Sequence, residues 1–408
     1  MKKFTLISFL MCYSLLSMAQ LSWLQIPDFP GTPRRGAVSF AINGLGYTGL
    51  GLLGTGQGET DLYAYDPVSN SWSQKADFPA TGRFGCVTFV IAGKAYVCTG
   101  STGAPSAQLW EYDATGNSWT AKTSFPGGLR ESAAGFSVGG KGYVGTGYAG
   151  GNSFSDFYEY DPVMDTWTAK SSFPGPARNG SAGFSIGTKG YIGLGNNTNS
   201  TSNFRDFYEY DPGTDTWTQK ADFPIPYVVQ PCTYSSSTSG YVLCGYYYQF
   251  SGITHNPLNM FYRYDQQQDA WTLEGTFPGY PRGYASGFLL NDDIYIGVGG
   301  QTNTFAPMFN DFWKLSNGAL LSIGNVSHDQ DFGMYPNPAN HSIQVGQEMA
   351  GKKLDHIRIY DSIGKMVMTK KLDDARQSID VSSLSGGLYF VELITAKGEV
   401  MDSRFIKQ

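Results

Sequence analysis

An arginine follows a tryptophan by eleven residues at five places along this chain, and the series is the clearest candidate for a binding site. The members are Arg34, Arg83, Arg130, Arg178 and Arg282, and Val228 stands at the corresponding place of a sixth unit. A guanidinium group offers a planar fork of donors that matches a carboxylate. Two interpretations stay open. The arginines line a mouth that binds an anionic ligand, or they bind carbonyl and carboxylate groups and tie neighbouring units together.

Glu131 is the carboxylate that stands directly beside this series, next to Arg130. A paired arginine and glutamate could bind a sugar acid and exchange protons with it. Arg130 and Glu131 are therefore the catalytic candidates of an enzymatic alternative. The turn aspartates that recur before proline are explained by turn chemistry and are not assigned a function.

Other catalytic chemistry is poorly supported. The chain has four histidines, without the spacing of a metal site, and it has no Cys-x2-Cys pair and no acidic calcium loop. It also lacks a Gly-x-Ser-x-Gly elbow and a phosphate-binding loop. We therefore expect no metal and no cofactor, and we favour a binding protein over an enzyme.

A second candidate surface consists of aromatic and asparagine residues in loops of one type. Tyr246, Tyr247 and Tyr248 open the longest of these loops, and 152–154, 196–204 and 302–309 occupy the same place in other units. Such side chains suit stacking on sugar rings or contact with a protein. They could equally cover the junctions between units.

These candidates are positioned by a repeat of about fifty residues. The pattern Trp-x5-Phe-Pro starts at Trp23, Trp72, Trp119, Trp167, Trp217 and Trp271. Each unit carries four strand signals, which is typical of a β-propeller blade. The last unit lacks its own Trp-x5-Phe-Pro strand, and the N-terminus has a spare one at 23–30. Pairing the two would complete a sixth blade and remove an open sheet edge.

The repeat resembles the kelch family. The resemblance rests on the Tyr-x3-Gly second strand, the Tyr-Asp-Pro turn and the Trp-x5-Phe-Pro strand, and it covers roughly 21–316. It implies a six-bladed kelch propeller over 20–316. Some secreted kelch propellers resemble galactose oxidase, but a single histidine in the propeller makes that copper chemistry a poor match. The enzymatic alternative is similar to the kelch sialate mutarotases.

Four cysteines remain after the N-terminal segment. Cys86 and Cys98, and likewise Cys232 and Cys244, are separated by 12 residues and span a predicted hairpin. Export would permit disulfides. The alternative is that they are small buried residues, because other units carry Ala or Gly at the same places.

The N-terminus predicts export. Two lysines precede an apolar run, and Ser17-Met18-Ala19 ends a cleavable signal peptide over 1–19. The run is shorter than the roughly 20 residues that span a membrane, and we expect no transmembrane segment in the mature chain. A net charge of −6 makes nucleic acid an unfavourable partner.

After the propeller and a linker at 317–331, the sequence predicts a small β-sandwich over 332–408. Its expected strands are 342–345, 356–360, 365–371, 378–381, 388–394 and 401–406. An ordered motif set resembles the type A sorting domain of the type IX secretion system: Tyr335, Pro336, Asn337 and Pro338, then Gly387, Leu388 and Tyr389, then Lys407. An ordinary carbohydrate-binding sandwich is the alternative.

The resulting hypothesis is a secreted or cell-surface propeller that binds a glycan or a protein. The resemblance of its tail implies passage through the periplasm and the type IX secretion machinery. The alternative is a sialate-type mutarotase or isomerase.

Overall fold

The computed structural model describes residues 23–197, 204–249, 254–301, 307–316, 334–337, 339–345, 354–360, 366–372, 377–395 and 400–407. The predicted signal peptide, the predicted linker and Pro338 lie outside these ranges. The chain divides into two compact units, Met1–Ile323 and Gly324–Gln408. All named secondary-structure elements of the described residues are β-strands.

The first unit contains six antiparallel sheets of four strands, and it is a six-bladed β-propeller. The innermost strand of each blade contacts that of the next, and the sixth contacts the first. From the inside outward, the strands are Val38–Ile42, Leu45–Gly49, Leu62–Asp66 and Ser71–Gln74 in blade one; Val87–Ile91, Lys94–Cys98, Leu109–Asp113 and Ser118–Lys122 in blade two; Ala134–Val138, Lys141–Gly145, Phe157–Asp161 and Thr166–Lys170 in blade three; Ala182–Ile186, Lys189–Gly193, Phe207–Asp211 and Thr216–Lys220 in blade four; Cys232–Ser235, Ser239–Leu243, Met260–Asp265 and Ala270–Thr276 in blade five; and Ser286–Leu290, Asp293–Gly297, Phe312–Leu315 and Trp23–Ile26 in blade six.

The ring closes by strand exchange between its two ends. Trp23 pairs with Leu315 and Ile26 pairs with Phe312, so the N-terminal strand is the outer strand of the last blade. Phe29, just after this strand, is fully buried against Tyr63 and Trp72 of blade one. The predicted closure is confirmed, and blade six has four strands like the other blades.

Glycine makes room for the aromatic core between blades. A Cβ on Gly190 would come within 1.9 Å of the Phe136 ring of the preceding blade, and a Cβ on Gly46 within 2.0 Å of the Phe288 ring. Each phenylalanine also stacks on the tyrosine of its own second strand, as Phe136 does on Tyr143 at 5.3 Å. The small residues of the repeat therefore let large rings fill the space between sheets.

The repeat tryptophans hydrogen-bond to the preceding blade. The Nε1 groups donate to carbonyl oxygens at 2.9–3.0 Å, in the pairs Trp72 to Pro27, Trp119 to Ala76, Trp167 to Thr123, Trp217 to Ser171 and Trp271 to Ala221. Trp23 differs, because its Nε1 is buried with no partner among the described residues. The junction between blades five and six thus lacks a bond that the other five junctions have.

Three small sheets form at the same end of blades one, three and five. Arg34–Arg35 pairs with Leu52–Leu53, and Tyr148–Ala149 pairs with Asn152–Ser153. In blade five, Tyr246–Gln249 lies between Val228–Val229 and Thr254–Pro257. The segments that carry the arginine positions therefore meet the loops between the second and third strands on one face of the propeller.

The second unit has two sheets around one core. One sheet contains Met334–Tyr335, Ser342–Val345 and Ile379–Asp380, and the other contains Met366–Lys371, Leu354–Tyr360, Gly387–Thr395 and Val400–Lys407. Residues from both sheets, among them Ile343, Ile357 and Phe405, share a buried cluster. Two sheets that share a core form the small β-sandwich that the alternation predicted.

Candidate functional site

The five arginines of the series are buried. Arg34, Arg130, Arg178 and Arg282 are 0% exposed, and Arg83 is 3% exposed. Four of them form ion pairs with an aspartate that precedes the third strand of the same blade: Arg34 with Asp61, Arg130 with Asp156, Arg178 with Asp206 and Arg282 with Asp311.

Arg178 shows the arrangement in full. Its Nη1 and Nη2 each donate to one oxygen of Asp206 at 2.7 Å, its Nη1 also reaches the carbonyl of Leu194 at 3.0 Å, and its Nε reaches that of Pro176 at 3.0 Å. The guanidinium carbon lies 4.6 Å from the centre of the Phe173 ring. Burial lowers the pKa of Arg178 and the Asp206 carboxylate opposes that effect. The donors are thus engaged inside the protein.

The two irregular blades support a structural role for these pairs. In blade two, Arg83 donates to Ser106 at 2.8 Å and to Gln108 at 2.6 Å, where other blades have aspartate. In blade five, Val228 replaces the arginine and Met260 replaces the aspartate, and the two belong to one apolar cluster. In blade five, arginine and carboxylate are lost together, as expected for residues whose main partner is each other, and in blade two neutral side chains take over the carboxylate's role. This geometry favours the blade-tying interpretation of the arginines over the anion-binding one.

The arginine loops also join blades through their main chain. The carbonyl oxygen of Arg178 accepts a hydrogen bond from Gly147 of the preceding blade at 2.8 Å, and the carbonyl oxygen of Arg34 accepts one from Gly299 of blade six at 2.7 Å. Each such glycine has a positive φ, 100° and 97° at these two positions. The closing glycine of the second strand is therefore required by the turn that reaches the next blade.

Each blade has a backbone group two residues beyond its arginine, or beyond Val228 in blade five. These six groups form a closed ring around the propeller axis. Each N–H donates to the carbonyl oxygen of the preceding blade at 2.8–3.2 Å, through Gly36, Gly85, Ser132, Gly180, Gln230 and Tyr284 in order. All six have φ between 51° and 63°. Gln230 and Tyr284 hold this left-handed conformation without being glycine, which is strained for a large side chain. Such strain commonly marks functional positions.

Side chains from different blades gather at this ring, and we call Arg35, Glu131, Gln230 and Tyr284 the axial mouth. The guanidinium carbon of Arg35 lies 5.3 Å from the centre of the Tyr284 ring. Ser132 and Gln230 hydrogen-bond to Tyr284, and burial raises the pKa of its hydroxyl. Tyr284 of blade six thus reaches partners on blades one, three and five, and it lies across the axis.

Glu131 carries an unsatisfied acceptor in the axial mouth. Its Oε2 is buried and has no hydrogen-bond partner within the described part of the chain. Burial raises the pKa of the Glu131 carboxyl, while a hydrogen bond with Ser101 and the charge of Arg35 oppose the shift. A buried acceptor without a partner costs roughly 1–3 kcal/mol. A ligand that donates a hydrogen bond to Oε2 of Glu131 would remove this cost.

Below the axial mouth, a channel follows the propeller axis. Its volume is about 340 Å³, and its lining residues include Gln230 and Tyr284 of the axial mouth. The wall includes many small and hydroxyl side chains from the innermost strands, such as Ser39, Thr88 and Ser137. The channel is polar and narrow, so it suits water or small polar groups better than an apolar ligand.

The candidate loop aromatics divide into different environments. Tyr246 is 1% exposed, and its hydroxyl donates to the carbonyl of Gly300 at 2.9 Å. Tyr247 is partly buried and packs edge-on against Tyr227 at 5.5 Å. Tyr248 belongs to the same strand and pairs with His255. Tyr246 therefore covers a blade junction, while its ring also lies 6.0 Å from that of Tyr284 in the axial mouth.

The four propeller cysteines are free thiols in the structure, so the candidate disulfides are not formed. The strand register explains this result. Cys98 stands opposite Val87, one residue past Cys86, and Cys232 stands opposite Leu243, one residue before Cys244. Because of this offset, neither pair of cysteines stands directly opposite in the hairpin register.

The sorting-motif residues lie at strand ends of the second unit. Tyr389 is buried, stacks on Phe405 at 5.5 Å and donates to the carbonyl of Ser385 at 2.9 Å. Lys407 is 8% exposed and bridges to Ala339. Pro336, Asn337 and Gly387 are exposed, while Tyr335 and Leu388 occupy strand positions.

The described residues contain neither a cluster of metal-ligating side chains nor a membrane-spanning helix. Within those ranges, no group of three or more His, Cys, Asp and Glu side chains could hold a metal ion. The same part of the chain contains no helix long and apolar enough to cross a membrane.

Comparison with known proteins decides the nature of the second unit. Residues 333–408 match the family model described as a secretion system C-terminal sorting domain. The tail is a secretion-system sorting domain. This match confirms the sorting prediction and supports export to the cell surface or the exterior by the type IX machinery. No curated protein matches the chain.

A solved structure supports the fold of the propeller. The protein YjhT matches with a TM-score of 0.60 at 17% sequence identity, and the match covers 71% of this chain and 97% of that one. At this identity the likeness shows the fold alone.

Sequence reasoning found Glu131 but missed three of its neighbours. The sequence analysis pairs Glu131 with Arg130, but in the structure the guanidinium group of Arg130 binds Asp156 at 2.6 Å. The arginine that faces Glu131 is Arg35, which follows a series member just as Glu131 does. The place directly after a series arginine, which Arg35 and Glu131 share, could have identified Arg35 from the sequence. Gln230 and Tyr284 replace glycine or serine of the other units, and this departure was a second signal.

Proposed function

We propose that this chain is an exported kelch-type propeller that binds the end of an acidic glycan at its axial mouth. The supporting observation is the buried, unpartnered Oε2 of Glu131 in a site shared with the guanidinium group of Arg35. A binding module accounts for this arrangement without requiring catalysis, and the sorting tail accounts for its delivery outside the cell.

The chemistry of the axial mouth suits a sugar acid. Arg35 can bind a carboxylate through its fork of donors, and the Gln230 amide both donates and accepts. Oε2 of Glu131 can accept a hydrogen bond from a sugar hydroxyl. The Tyr284 ring offers a surface for the apolar side of a pyranose. The raised pKa of Glu131 reduces repulsion between its carboxyl group and a ligand carboxylate.

Binding can be tested by calorimetry with sialyl-lactose and with lactose as the neutral counterpart. We expect the acidic sugar to bind more tightly, and its affinity to weaken as salt is added. Arg35→Lys keeps the charge but loses the fork, so affinity should fall about tenfold, which is about 1.4 kcal/mol. Glu131→Gln should also weaken binding.

Two matched controls separate binding from folding. Arg205 is 56% exposed, so Arg205→Lys should leave both affinity and melting temperature unchanged. Arg178→Lys should lower the melting temperature and leave affinity nearly intact, because Arg178 is buried against Asp206. Equal affinity of the Arg35→Lys variant and the natural chain would refute the axial-mouth proposal. Loss of binding in Arg178→Lys without early melting would restore the arginine series as the anion site.

Sugar-acid mutarotation is the second candidate function. The raised pKa of Glu131 beside Arg35 favours it, because burial makes this carboxyl group hold its proton more tightly, and a positioned carboxyl group can exchange protons with a ring oxygen or anomeric hydroxyl. Exchange between the anomers of N-acetylneuraminate, followed by NMR, tests it. Accelerated exchange that is lost in Glu131→Gln would establish catalysis, and an uncatalysed rate with the natural chain would exclude it for this sugar.

The sorting tail leads to a testable prediction about export of the propeller. Deleting 332–408 should leave the propeller folded but held in the periplasm, because the ring closes upstream of the deletion. Fractionation locates the protein, and tryptophan fluorescence reports its fold, since all eight tryptophans lie between residues 23 and 313. The full-length chain in the same cells is the control. Arrival of the truncated protein outside the cell would contradict the requirement for the tail.

A further inference from the structure

A second cavity lies beside blade six, away from the propeller axis. Its volume is about 610 Å³, within the range of about 300–1,000 Å³ that is usual for ligand pockets. The walls combine aromatic rings, prolines and side-chain amides: Gln25, Pro278, Tyr280, Phe309, Asn310 and Trp313. We call this cavity the blade-six cleft.

One aromatic ring of the cleft is open to solvent. Tyr280 is 65% exposed, and it is the aromatic member of the exposed large hydrophobic side chains in the described residues. Its ring lies parallel to that of Phe309, with an angle of 3° and 5.6 Å between centres. The exposed face of such a fixed ring is a surface on which a second flat group can stack.

The stack is held in place from inside the protein. The Arg282 guanidinium carbon lies 4.3 Å from the centre of the Phe309 ring, and Asp311 binds Arg282 at 2.7 and 2.9 Å. Pro278 and Pro281 bracket Tyr280 and restrict the backbone of its loop. A ring positioned in advance loses little conformational entropy when a ligand binds.

Among the six repeat units, only this one has an aromatic residue at the loop position of Tyr280. Nine residues after the repeat tryptophan, the other units have Thr32, Thr81, Gly128, Pro176 and Pro226 where this one has Tyr280. The ring does not serve the shared architecture, since five units form the same loop without it. An exposed aromatic ring that lines a cavity of this size is available for contact with a ligand.

The charges of the cleft are already satisfied. Both carboxylate oxygens of Asp311 accept bonds from Arg282, and Trp313 donates its Nε1 to the same carboxylate at 2.8 Å. The side-chain amides of Gln25 and Asn310 each donate one hydrogen bond within the protein, to Asp28 at 3.4 Å and to the carbonyl oxygen of Phe29 at 3.3 Å. An amide group has a second N–H and a carbonyl oxygen with which to meet a neutral ligand. A ligand of this cleft therefore has an apolar face and several hydroxyl groups, without needing a charge.

We propose that the blade-six cleft binds a neutral oligosaccharide, with one pyranose ring stacked on Tyr280. The C–H groups of a pyranose face supply the apolar contact, and its hydroxyls meet the two amides. The site is separate from the axial mouth and does not depend on the function proposed there.

The test uses the mature chain and four neutral probes: cellohexaose, xylohexaose, mannohexaose and maltohexaose. Calorimetry measures affinity, and saturation-transfer NMR identifies the sugar protons in contact with the protein. We expect at least one probe to bind with its ring C–H protons in contact. Tyr280→Ala should weaken binding at least about tenfold, whereas Tyr280→Phe should retain it because the ring is kept.

Leu129 supplies the matched control, because it is 59% exposed in the corresponding loop of another unit. Leu129→Ala should bind as the natural chain does. The proposal is overturned if none of the four probes binds, or if Tyr280→Ala binds as tightly as the natural chain.

Discussion

Deletion of residues 20–31 is expected to destabilise the propeller more than any other change considered for this chain. The segment supplies the outer strand of blade six and the fully buried ring of Phe29. Loss of one buried phenylalanine side chain typically costs about 3–5 kcal/mol, and the deletion also exposes a sheet edge. Thermal unfolding followed by tryptophan fluorescence measures the effect on the propeller alone.

Point variants in the same segment make this prediction sharper. Phe29→Ala should destabilise the chain by about 3–5 kcal/mol. Leu24, on the closing strand, is 63% exposed, and Leu24→Ala should change stability by less than about 0.5 kcal/mol. An unchanged melting temperature after the deletion, or equal effects of the two point variants, would contradict the closure seen in the structure.

The second large effect concerns the buried arginines. Asp206→Met leaves Arg178 fully buried without its carboxylate, and removing one partner of a buried ion pair typically costs about 3–5 kcal/mol. Asp206 is itself 19% exposed, so Arg178→Val, which leaves only that carboxylate unpaired, should cost less.

The double variant Arg178→Val with Asp206→Met gives blade four the Val228 and Met260 pair of blade five. We expect it to recover most of the stability lost in Asp206→Met, because no uncompensated charge remains and the two apolar side chains can pack. The four chains form a double-mutant cycle, measured by denaturant unfolding. Additive losses in the double variant would mean that the arginine and the aspartate act independently.

The architecture was predictable because it depends on features that repeat. Six copies of Trp-x5-Phe-Pro, with a spare strand at Trp23, determine the number of blades and the closure. The partners of the arginines were harder to find, because Asp206 lies 28 residues from Arg178 and meets it only after the second and third strands pair.

The axial mouth was the least predictable part. Its side chains are the ones that differ between units, so the regular spacing that identified the fold does not show that Arg35, Glu131 and Tyr284 come together. They come together because the main-chain ring places corresponding positions of all blades around one axis. A search for departures from the repeat, rather than for its regular spacing, would have selected these residues.

The closing strand pair also sets how the propeller responds to mechanical load. Trp23 and Leu315 are opposite one another, so the two ends of the propeller leave the ring at the same end of this pair. A force applied between these ends loads the Trp23 and Leu315 pair first and separates the strands one residue pair at a time. Strands pulled in this way resist less than strands sheared along their length, where all the bonds share the load. Traction on the C-terminal tail against a held N-terminus would therefore open the ring at blade six before the other blades are strained.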